Sequence, residues 1–144
     1  MRVRSGIGIA LAAALLVSLG ASAHAQAPAS GLKKLAPPLK GPIEVGYMVN
    51  AKREGDKIVT VFEVKNLSAT GSIIGLQIEQ YFYDKAGNPI PGTGDRQRLR
   101  QPLQPLEVAT ITLTSNTVPN MQQPTHKFSY RDGTIKVKPL KTMK

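Results

Sequence analysis

Cysteine is absent from the 144 residues. That excludes disulfides, thiolate catalysis and cysteine-ligated zinc or iron–sulfur sites, as well as lipid attachment at a cysteine beside a leader cleavage site. Acidic residues are few, 9 against 19 Lys and Arg. Histidine is nearly missing, with only His24 and His126. There is no G-x-S-x-G nucleophile turn. Gly92-Thr93-Gly94 lacks the Gly-Lys-Ser/Thr and the helix of a phosphate loop. Beyond the first 25 residues no segment sustains a helical period. What is left is a small, basic chain with no catalytic, cofactor-binding or metal-binding constellation and no cofactor implied.

The one long apolar run lies at the N-terminus. Arg2 and Arg4 precede an uncharged stretch from Ile7 to Ala23, which closes in Ala23-His24-Ala25. A positive start, an apolar middle and small residues at an A-x-A site are the parts of a secretory signal peptide. Cleavage after Ala25 makes Gln26 the new N-terminus; the overlapping Ala25-Gln26-Ala27 would put Pro28 next to the cut. The run falls short of the ~20 apolar residues of a spanning helix, and Gly6, Gly8, Ser18 and Gly20 dilute it, which argues against an uncleaved anchor and a membrane span after cleavage. The expectation is a periplasmic or secreted protein. Absence of cysteine favours a bacterial envelope over a disulfide-rich eukaryotic secretome.

Removal of residues 1–25 leaves 119 residues, enough for one domain, and a core of that size needs no covalent staples. With Arg2 and Arg4 gone, 17 basic residues face 9 acidic ones, a net charge of +8. Such a field draws anionic partners. In an envelope these are lipid headgroups, anionic glycans or acidic protein faces, and export argues against nucleic acid. The same charge also serves solubility alone.

Residues 26–42 carry Pro28, Pro37, Pro38 and Pro42 among Ala, Gly, Ser and Lys, which predicts an extended, flexible arm. From Ile43 the apolar period becomes two, as in strands. Strands are expected over 43–50, 57–66, 73–84, 96–101 and 107–114, separated by turns such as Glu54-Gly55-Asp56 and Lys85–Pro89. Asp132-Gly133 between two alternating runs, 127–131 and 134–138, reads as a two-residue type I′ hairpin. Pro139 ends the last strand, and residues 140–144 form a basic tail. About seven short strands joined by Gly, Pro and Asn turns predict an all-β antiparallel sandwich over 43–139, with a Greek-key barrel as the alternative. The expected core is Val45, Tyr47, Phe62, Val64, Leu76, Ile78, Phe82, Ile111, Leu113, Phe128 and Ile135, with Ile74 sharing the face of Leu76 and Gln80 as its polar member.

Three stretches carry a family likeness: Phe62-Glu63-Val64-Lys65-Asn66, then Tyr81-Phe82-Tyr83-Asp84-Lys85-Ala86-Gly87-Asn88-Pro89-Ile90, then Leu103-Gln104-Pro105-Leu106-Glu107. Over residues 58–113 the chain resembles the FxLYD domain family, small immunoglobulin-like sandwiches of bacterial exported proteins. It departs at the name motif, with Gln80 in place of Phe and Phe82 in place of Leu. The resemblance implies an immunoglobulin-like β-sandwich with an accessory or interaction role, and carries no catalytic residues.

Arg96, Arg98 and Arg100 are the candidate contact residues for an anion or partner. Residues two apart on a strand share a face, so three guanidinium groups would stand in a row roughly 7 Å apart, suited to carboxylates or phosphates. An edge strand kept soluble by like charge gives the same pattern. His126 reads as a surface histidine; with Met121 it would make at most a fragment of a soft metal site. Asn66-Leu67-Ser68 fits a glycosylation sequon, which a strand ending in a turn-forming Asn also explains. The expected function is a non-enzymatic envelope binding or accessory module with a basic surface. The alternatives are a structural subunit docking by sheet-edge pairing and a small metal carrier or hydrolase. The oligomeric state stays open.

Overall fold

Strand β1 (Ile43–Glu54) turns through Gly55-Asp56 into β2 (Lys57–Asn66), and the two pair antiparallel from Val45↔Asn66 to Glu54↔Lys57. β2 has the bounds its alternation predicts, because Thr60, Phe62 and Val64 all need the same covered face and are fully buried there. Its other edge pairs with β5 (Val108–Asn116), which sets Ile111 opposite Phe62 and Leu113 opposite Thr60. β7 (Ile135–Pro139) lies parallel to β1 and completes a sheet of order β5-β2-β1-β7. The second sheet holds β3 (Gln77–Tyr81) between β4 (Asp95–Arg98) and β6 (Thr125–Ser129), both antiparallel to it.

These elements come from a computed structural model that describes residues Lys34–Lys144. The signal peptide expected over 1–25 and the arm residues 26–33 lie outside the described residues. Among the described residues there is no helix. The fold is an all-β sandwich of seven strands in two packed sheets. All eleven residues expected in the core are buried or packed against it, and Ile43, Ile73, Leu103 and Tyr130 join them.

An aromatic group links the layers. Phe62 of the first sheet meets Phe128 of the second edge-on at 5.8 Å, and Tyr47 stands 5.2 Å from the same Phe128 ring. Such offset and edge-on pairs add to what the buried ring area contributes.

Three local expectations are corrected. The turn after β6 is not a type I′ hairpin. The bridge is Tyr130↔Gly133, so Arg131 and Asp132 occupy the turn, and neither Asp132 nor Gly133 has the positive φ that type I′ demands. β6 then stays in one sheet while β7 crosses to the other. The crossing is tight: a Cβ on Gly133 would stand 2.2 Å from the Gly41 carbonyl oxygen. The Tyr130 hydroxyl donates to that same oxygen, and burial pushes the phenol pKa up.

The long strand expected over 73–84 is interrupted. Ile73 bridges to Leu103 and is fully buried, whereas Ile74 is only half-buried. Gly75, at φ +67°, resets the alternation so that Leu76, Ile78, Gln80 and Phe82 face inward. A period-two reading has no means of placing that reset.

The arm is extended where described, but it is docked. Leu39 N donates to Ser72 O at 2.8 Å, Ser72 N to Pro37 O at 2.8 Å, and Ala36 N to the Gln104 side chain at 3.0 Å. Leu39 packs against the core. The tail is tied as well: Leu140 N donates to Tyr47 O at 2.8 Å, and its side chain fills the space above Gly46.

Asn66 locks one end of the sandwich. It is fully buried, and its side-chain amide donates to the carbonyls of Gly71, Leu103 and Gln104 at 2.8, 3.1 and 3.1 Å while its Oδ1 accepts from Ser68 N. The sequon at Asn66 is therefore a structural turn with no room for a glycan. Replacing Asn66 with Leu leaves buried carbonyls unpaired at about 1–3 kcal/mol for each group stranded. We expect Asn66→Leu to lower the urea midpoint by an amount equivalent to about 3 kcal/mol, with the slope of the transition unchanged.

Candidate functional site

The outer face of the second sheet is set by its register. Glu79 of β3 stands between Arg96 of β4 and Lys127 of β6, and Gln77 stands between Arg98 and Ser129. Tyr81, two residues along β3, donates its hydroxyl to Glu79. That bond, aided by the Gln77 amide and the charges of Lys127 and Arg96, holds the Glu79 carboxyl below its ordinary value, and the same bond raises the Tyr81 phenol. Arg96 is thus matched by an acid across the ladder. Arg98 Nε donates to Gln77 Oε1 at 3.1 Å and faces no acid.

The expected row of three arginines is only partly formed. Arg96 and Arg98 share a face of β4, but β4 ends at Arg98. Leu99 adds one further backbone bond, to Leu76 O at 2.8 Å, and packs against the core, after which the chain bends at Arg100. Arg100 turns out of the row and is joined by a residue that sequence reading assigned to a hairpin.

That residue is Arg131. Its amide donates to Ile74 O at 3.2 Å, which carries the β3–β6 pairing past Gly75, and its Cβ stands 3.7 Å from where a Gly75 side chain would begin. Arg98, Arg100 and Arg131 therefore line one cavity of about 520 Å³, with Leu99, Tyr130 and the Ile74-Gly75 backbone between them. No carboxylate lines it. Asp132 pairs with Arg131 Nε at 3.0 Å from beside the cavity, and the Arg131 side chain remains 59% exposed. The contact between residues near 75 and near 131 depends on which strands meet, which no local pattern reveals.

His126 is placed differently from its sequence reading. It is half-buried, edge-on to Phe62 at 4.7 Å, and its Nε2 stands 3.0 Å from Gln80 Oε1. Gln80, fully buried, donates in turn to Ser115 Oγ at 3.0 Å. Met121 and His126 line the same second cavity, at the other end of β3. Among the described residues no three His, Cys, Asp or Glu side chains gather as a metal site would require.

Compared with models of known protein families, the chain matches none. No curated protein is similar to it at a significant level.

Burial pushes the His126 imidazole below its ordinary value. The unfolded chain then takes up the proton first, so this group's contribution to stability is complete above about pH 6.5 and is lost as pH falls through the lowered folded value. We expect the urea midpoint to fall between about pH 7.5 and pH 5.5, and His126→Gln to flatten that part of the profile. A histidine resonance titrating at or above the free value would contradict the assignment.

Proposed function

We propose that this chain is an exported, non-enzymatic binding module of the bacterial cell envelope whose basic cleft holds an anionic group of its partner. The observation that carries the reading is the convergence of Arg98, Arg100 and Arg131 on one cavity with no carboxylate in its walls. A guanidinium presents paired N–H donors that match carboxylate or phosphate oxygens, and three of them around a concave surface favour an anion over water. The lining adds only hydroxyl, apolar and backbone groups, so no general base faces the cleft. Export is supported by the Arg2–Ala25 pattern, and an interaction role by the FxLYD likeness, which also supports an immunoglobulin-like form of the sandwich. The partner is an envelope protein or an anionic envelope polymer.

One observation favours a second reading, assembly by edge pairing. β5 forms an edge of its sheet and has no charged residue or proline from Val108 to Asn116, so it lacks two of the usual guards of a free edge. Asp95 covers part of that edge by accepting from Thr114 N at 2.7 Å. Assembly of this kind would survive high salt, whereas capture by the arginine cleft would not.

Protein recovered from envelope fractions should begin at Gln26 by mass spectrometry; an intact Met1 form in the cytosol would overturn the export reading. Immobilised protein should capture its partner at about 0.1 M salt and release it at about 1 M, where the screening length shrinks from roughly 10 Å to 3 Å. The triple variant Arg98→Glu, Arg100→Glu, Arg131→Glu should lose capture. Arg96→Gln should keep it, because Arg96 lies outside the cleft lining. A triple variant that retains the same partners would remove the cleft as the site.

A further inference from the structure

The hairpin of β1 and β2 extends past the second sheet. Along β1 the inward-facing series continues from Val45 and Tyr47 to Val49, Ala51 and Arg53, and along β2 it continues from Phe62 to Thr60 and Ile58. Beyond Tyr47 and Phe62 no strand of the second sheet covers these residues, and Val49 is 45% exposed. The 117–124 segment crosses between the sheets and closes the space only in part. The result is a cavity of about 620 Å³ at the open end of the sandwich, with Phe82, Val118, Met121 and His126 on its far wall. This lies within the range of small-molecule sites, which are mostly apolar with a few placed polar groups.

Its polar lining is mixed, with the amides of Asn120, Gln122 and Gln123 and the imidazole of His126 beside Arg53, Thr60 and Thr117. Arg53 is the single charged side chain in the lining. Among the described residues no carboxylate stands within ion-pair distance of it, and its Nε donates only to the nearby Gly55 carbonyl at 3.3 Å. Thr60 and Thr117 also border the cavity, and their hydroxyls are buried with no partner. Both oxygens are covered by protein atoms, so they belong to the wall of the cavity and are not open to a ligand. Thr117 N donates to Asp56 O at 2.7 Å, which sets Thr117 at the level of the hairpin tip, as Arg53 is. The mouth of the cavity thus offers one cation, Arg53, with the apolar side chains of Val49, Ala51, Ile58 and Met121 beyond it.

We infer that this cavity is a binding site for an amphipathic carboxylate, its apolar chain lying along Val49, Ala51, Ile58 and Met121 and its carboxylate held at Arg53. A cationic amphiphile is disfavoured by Arg53. A neutral one leaves the mouth unanswered. The site lies at the opposite end of β3 from the arginine cleft and does not depend on that reading.

The test uses the chain purified from cells expressing all 144 residues, with decanoate, decanol and decyltrimethylammonium as probes below their micellar concentrations. Decanoate should bind saturably with one site by calorimetry, and its NMR shifts should be confined to amides of Val49–Arg53 and 117–123. Decanol and the ammonium compound should each bind more weakly by about tenfold or more. Arg53→Glu should weaken decanoate by about tenfold and reverse the preference in favour of the ammonium compound. Ala51→Trp, at an exposed position, should fill the cavity and abolish binding. The inference fails if decanoate does not saturate, if its shifts scatter over the surface, if Arg53→Glu binds it unchanged, or if an Ala51→Trp variant with an unchanged melting temperature still binds. Should Ala51→Trp not fold, Arg53→Glu decides alone.

Discussion

Contact between Phe62 and the second sheet is the interaction on which this molecule depends. Phe62 sits on the central strand β2, flanked by Val49 on β1 and Ile111 on β5, and its ring meets Phe128 and His126 across the gap between layers. With no cysteine in the chain, nothing covalent holds the sheets together. The apolar layer around that ring supplies the driving force, and its alternation fixes the register of every strand that touches it.

The chain reaches that arrangement by changing sheets repeatedly. Only β1–β2 and β3–β4 stay within one sheet; the other four connections cross. Crossings expose backbone groups that must find partners, and two of them, β2–β3 and β6–β7, are tied by specific devices. Asn66 bonds three carbonyls where β2 leaves its sheet. Tyr130 and Gly133 close on Gly41 where β6 hands over to β7. Pro37 and Leu39 dock on Ser72. It is at the ends of the sandwich that the two cavities lie.

Those ends differ chemically because β3 is offset from the longer hairpin of the first sheet. Past Gly75 the second sheet gathers arginines from two separated segments around a polar hollow. Past Phe82 it stops short, and the inner face of β1 and β2 is covered only in part, by the 117–124 segment. One end therefore presents Arg98, Arg100 and the Asp132-paired Arg131 around a hollow with no acid in its lining, and the other a partly apolar wall with a cation at its rim. Arg96 shows how much the ladder decides: it belongs to the same sequence row as Arg98, yet the neighbouring strand sets Glu79 beside it and leaves Arg98 with an amide.

By itself the sequence determined what period two and composition encode. The all-β class, the bounds of β2, the inward faces of β1, β2 and β5 and the eleven expected core positions follow from apolar residues recurring on one side of a pleated strand, a local property. Net positive charge is equally local and survives any fold. Tertiary structure alone decided which strands meet. The positive φ at Gly75 shifts the face of Ile73 against Leu76, the departure of β7 to the other sheet undoes the Asp132-Gly133 hairpin, and the β3–β6 pairing brings Arg131 to Arg98 and Arg100 while Arg100 itself leaves the strand. Each of these depends on partners far along the chain, whose competition for the same buried space is settled only when both sheets close over one core.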